Sequence, residues 1–131
     1  MNVCLNDSIN PESFIEISIL THDPDPDEGS RFMAKFYINN QLSQELEFGW
    51  TNRTLKSFIN LLRNFPVEEY NGYFSHFEKH LELQWKLESD KDLYFLTFDL
   101  LVNEDDTFSL KATQDTIKAF GHSLESLIIQ K

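Results

Sequence analysis

The chain is predicted to be an α+β domain: an antiparallel sheet of about six strands in βββα-βββα order, with two helices packed on one face. Three observations predict it. Short segments alternate apolar and polar residues, the signature of half-buried strands. Two other segments carry apolar residues at helical spacing. Each helical segment closes a run of strand-like ones, an arrangement that an antiparallel sheet with helices on one side satisfies economically. At 131 residues the chain fits one domain, spanning residues 1–131. A domain of this size buries roughly two thirds of the surface its unfolded chain exposes, and twelve phenylalanines supply a bulky core.

The first strand is expected at Phe14–Leu20, with Ile15, Ile17 and Ile19 on one face and Glu16 and Ser18 on the other. Arg31–Ile38 alternates in the same way, placing Phe32, Ala34, Phe36 and Ile38 inward. Asn39-Asn40 makes a tight turn, because asparagine tolerates positive φ. The returning strand directs Leu42, Gln44, Leu46 and Phe48 inward. Thr51 or Asn52 then caps a helix bearing Leu55, Phe58, Ile59 and Leu62, and Pro66 stops it.

The second half repeats the plan, as a repeat of architecture and not of residue identity. Leu81, Leu83, Trp85 and Leu87 alternate with polar residues. Leu93–Val102 is apolar on both faces and so suits a central strand. Phe108, Leu110 and Ala112 form a last short strand. Thr113 caps a helix with Ile117, Phe120, Leu124, Leu127 and Ile128 on its apolar face, and Asp115 in its first turn suits the macrodipole. Two stretches fall outside the plan. His22–Ser30 is a proline-punctuated polar loop, and Phe65–His80 is a long connection rich in aromatics.

The 22 acidic residues against 11 basic ones give a net charge of −11. That balance disfavours nucleic acid, whose phosphates call for Lys and Arg, and anionic membrane surfaces. It favours encounter with a basic partner. No run of about 20 apolar residues is present to span a membrane, and Met1–Asn10 has no secretory pattern. With Cys4 the sole cysteine, a reducing, cytoplasmic setting is expected.

The sequence offers little assembled chemistry. Asp23, Asp25 and Asp27 invite a calcium reading, but the required Gly and Glu positions of an EF-hand loop hold Glu28 and Ala34. His76 and His80 are four apart without the adjacent Glu of a zinc-protease helix. Cys4 has nothing to fix a base beside it, and the four scattered glycines build no phosphate loop. Asp99 is the one carboxylate within an otherwise apolar strand. No catalytic residue, metal or cofactor is expected, and the chain reads as a non-enzyme.

Tyr70-Asn71-Gly72-Tyr73-Phe74, followed by Leu81–Leu87, Leu93–Leu101, Phe108–Ala112 and the apolar-periodic last helix, resembles small bacterial proteins of the WapI-type immunity group. The resemblance covers roughly the second half of the chain, with Tyr70 standing where that pattern has tryptophan. It implies a cytoplasmic protein that binds a cognate toxin and blocks it, with no catalytic residues of its own. The expected partner is a basic toxin domain. Asp23, Asp25, Asp27, Glu28, Asp90, Asp92, Glu104, Asp105 and Asp106 would supply the field, and Trp50, Tyr70 and Tyr73 the aromatic anchors. Two other readings stand beside it: a DNA-mimicking inhibitor of a nuclease or regulator, and a small-molecule-binding domain using Asp99 and His76.

Overall fold

The computed structural model describes residues 2–25, 28–66, 72–74, 81–88, 92–100 and 106–129. Within them the chain runs β1 (Asn2–Asn6), β2 (Phe14–His22), β3 (Gly29–Ile38), β4 (Gln41–Thr51), α1 (Asn52–Arg63), β5 (Tyr73–Phe74), β6 (Glu82–Leu87), β7 (Leu93–Leu100), β8 (Asp106–Thr113) and α2 (Gln114–Ile129). The α+β class is as expected, but the strands form two four-stranded antiparallel sheets, β1-β2-β3-β4 and β5-β6-β7-β8, and not one of six. Alternation says which side chains turn inward and is silent on which strands pair. Each half closes its own meander through hairpins, leaving two apolar faces that bury each other. The two strands missing from the sequence reading, β1 and β5, are the short edge strands.

One core joins the halves. The Phe36 ring of β3 lies 5.0 Å from Phe108 and 6.4 Å from Phe98, bridging the inner faces of the two sheets. Ile15, Ile17, Phe32, Ala34, Leu46, Phe48, Leu83, Leu96, Leu110 and Ala112 line those faces. The inward expectation fails at the strand tips, where Ile38, Leu42 and Leu87 are about half exposed because the strands outrun the core. Asn39 and Asn40 both take positive φ, 52° and 64°, the geometry of a hairpin turn that matches strand twist.

The edge of β8 is covered from the other half. Asp7, in the turn after β1, accepts the backbone N–H of Lys111 on Oδ2 (2.9 Å) while Oδ1 takes the N–H groups of Ile9 and Asn10. Ser8 donates its backbone N–H to the Lys111 carbonyl (2.8 Å), and its hydroxyl accepts the Thr113 N–H (3.1 Å). An edge so occupied offers no template to a stray strand.

The helices begin identically. Thr51 Oγ1 accepts the N–H of Thr54 at 3.3 Å, and Thr113 Oγ1 accepts that of Thr116 at 3.3 Å. In each cap the two threonine hydroxyls also hydrogen-bond one another. Aligning these caps exposes a repeat in residue identity that strand patterns alone did not show: Thr51, Thr54, Leu55, Lys56 and Phe58 recur as Thr113, Thr116, Ile117, Lys118 and Phe120. The helices then pack on one another, with Gly121 against Leu62 and Arg63. An Arg63–Glu125 ion pair at 2.9 Å closes the contact. No helix among the described residues is long and apolar enough to cross a membrane.

Candidate functional site

The β2–β3 connection is a fastened structure and not a loose acidic loop. Its anchor is Asn52, the first residue of α1, whose amide nitrogen donates to the carbonyls of Asp23 (2.6 Å) and Asp25 (2.7 Å). The Asn52 backbone N–H donates to the Glu28 carbonyl at 2.9 Å. Asp23 Oδ1 accepts the Asp25 N–H at 2.9 Å, an Asx turn that orders the segment locally. The Asp23, Asp25 and Glu28 side chains stand exposed on this frame.

Behind it sits a serine–histidine pair. His22 Nδ1 lies 2.7 Å from Ser30 Oγ, and Ser30 Oγ donates to Asn52 Oδ1 at 3.0 Å. The direction of these bonds is fixed by elimination. Because the Asn52 amide nitrogen faces two carbonyls, its oxygen must be the acceptor, and the single Ser30 proton goes there. Ser30 therefore accepts from His22, so Nδ1 carries a proton. A nucleophilic serine needs the opposite arrangement, with histidine taking its proton. Ser30 is also 1% exposed. The pair is a brace for the β2–β3 connection, not a catalytic dyad.

Strand register gathers several acidic residues at one end of the molecule. Gly29 pairs with Thr51, placing Asp23, Asp25 and Glu28 beside the end of β4. There the Trp50 ring lies 6.1 Å from Phe74, whose neighbour Tyr73 is 41% exposed. Phe74 pairs with Leu83, Leu83 with Phe98 and Phe98 with Phe108, a row that crosses the second sheet from Trp50 to Phe36; the exposed Asp106, two residues from Phe108, therefore lies toward the Phe36 end of β3 and away from Asp23. Tyr73 donates its hydroxyl to Glu82, which is 6% exposed. Asp99 is half-buried on the outer face of the sheet and accepts from Gln84 Nε2 at 2.9 Å.

Besides Asp106, two of the expected site residues do not join this exposed surface. Trp50 is 3% exposed, packed on Phe48, Phe58 and Phe74, and cannot act as a surface anchor. Its inward direction continues the alternation Leu46, Phe48, Trp50, a signal present in the sequence. Asp92 precedes Leu93, which pairs with Thr113, and so lies at the opposite end of β7, about 25 Å from Asp106 at an ordinary strand rise. Asp27, Tyr70, Asp90, Glu104 and Asp105 lie outside the described residues, as do His76 and His80.

Among the described residues no group of three or more His, Cys, Asp or Glu side chains is placed to hold a metal. Cys4 is exposed on β1, its thiol pKa raised first by desolvation against the sheet and then by the Glu16 carboxylate. Glu16 is its cross-strand partner. His122 is exposed on α2.

The sequence reading missed a groove of about 760 Å³ beside the acidic end. His22 and Pro24 form one wall, α1 the other through Arg53 and Lys56, and Leu55, Ile59 and Ile128 the floor. Among the described lining residues the acidic one is Glu125, which is bound to Arg63; the exposed Asp23 and Asp25 flank Pro24 on the opposite wall. Comparison of the chain with protein-family models, with curated proteins and with solved structures finds no match.

Proposed function

We propose that the protein is a protein-binding inhibitor, an immunity-type partner that covers the active or substrate-binding surface of a cognate bacterial toxin in the cytoplasm. The observation that carries this reading is the acidic end of the molecule: Asp23, Asp25 and Glu28 are exposed beside the end of β4, where Trp50 meets Phe74, the neighbour of the half-exposed Tyr73. The carboxylates attract a basic surface from beyond contact distance, over a Debye length of about 8 Å at physiological salt. Tyr73 offers an amphipathic ring of the kind that anchors interfaces. The Asn52 brace holds the loop carboxylates in place before encounter, which lowers the ordering cost of binding.

The test is co-expression with the toxin domain encoded beside this gene. Cells carrying the native chain should survive, and association measured by stopped flow should slow by roughly tenfold or more in an Asp23→Asn/Asp25→Asn/Glu28→Gln variant. The native rate should also fall steeply with added salt. Absence of protection, or association indifferent both to salt and to the three substitutions, overturns the reading.

A further inference from the structure

We draw no further inference here: the strongest candidate, the apolar-floored groove between α1 and the β2–β3 connection, has cations on one wall and the exposed Asp23 and Asp25 on the other, and nothing in the structure shows what covers it.

Discussion

The N-terminal half of the molecule and its C-terminal half follow one plan, a four-stranded meander closed by a threonine-capped helix, yet they diverge in a patterned way. What they share faces inward or caps a helix: Thr51 and Thr113, Leu55 and Ile117, Phe58 and Phe120. What separates them lies partly on the helix surfaces and partly where the helices pack on each other. Arg53 faces solvent where α2 has Asp115, and Ile59 stands where α2 has Gly121. The first residue of each helix keeps its task with different chemistry, since Asn52 ties down the β2–β3 connection and Gln114 reaches Asp92. Packing and capping thus hold the repeat constant, and the exposed positions are where the halves acquired separate roles.

The largest effect should come from removing the paired phenylalanines. Phe58 is 2% exposed and stacks near Trp50 and Phe74, while Phe120 is 2% exposed within the same core. Phe58→Ala and Phe120→Ala should each cost about 3–5 kcal/mol in urea unfolding, the range for deleting a buried ring. A large loss at one position and almost none at the other would break the equivalence of the halves.

Much of this arrangement was legible in the sequence. Both helices, their threonine caps, the Asn39-Asn40 turn and the inward residues of β2, β3 and β8 follow from period and turn chemistry. The pairing into two sheets does not, because the same alternation serves one sheet or two; the decision rests on long-range packing such as Phe36 against Phe108. The strands β1 and β5 are too short to show a period, and β5 has two residues. The candidate site was less accessible. Exposed carboxylates could be named, but which of them share a surface depends on how the two sheets cross, which sets Asp106 toward the Phe36 end of β3 and away from Asp23. The groove floor, Leu55 and Ile59, reads in sequence as ordinary helix core. The repeat itself was readable once the helix starts were superimposed.

A smaller effect should follow Gly121→Ala. In an open helix this change gains about 1 kcal/mol of propensity. Here the new Cβ would sit 2.7 Å from Leu62 Cβ and 2.9 Å from the Arg63 backbone nitrogen, neither of which can swing aside. Overpacking of this kind costs roughly 1–3 kcal/mol, so a net loss of up to about 2 kcal/mol is expected by urea denaturation. A stabilised Gly121→Ala protein would show that the helices are not held at this distance, and the asymmetry between Ile59 and Gly121 would lose its meaning.

The smallest effect discriminates most finely, because it isolates the one first-turn position where the halves carry opposite charge. Asp115→Arg should destabilise by about 0.3–1 kcal/mol at low salt, the ordinary contribution of a charge in the first helical turn. Arg53→Asp should move the other way by a similar amount, less whatever the contacts of the Arg53 side chain now supply. Both changes should fade as salt screens the field. Equal and opposite changes at the two positions would show that the helix starts differ only in their charge against the dipole. A loss of stability on Arg53→Asp would instead show that the contacts of Arg53 outweigh the dipole, and that α1 gave up a favourable first-turn charge to make them.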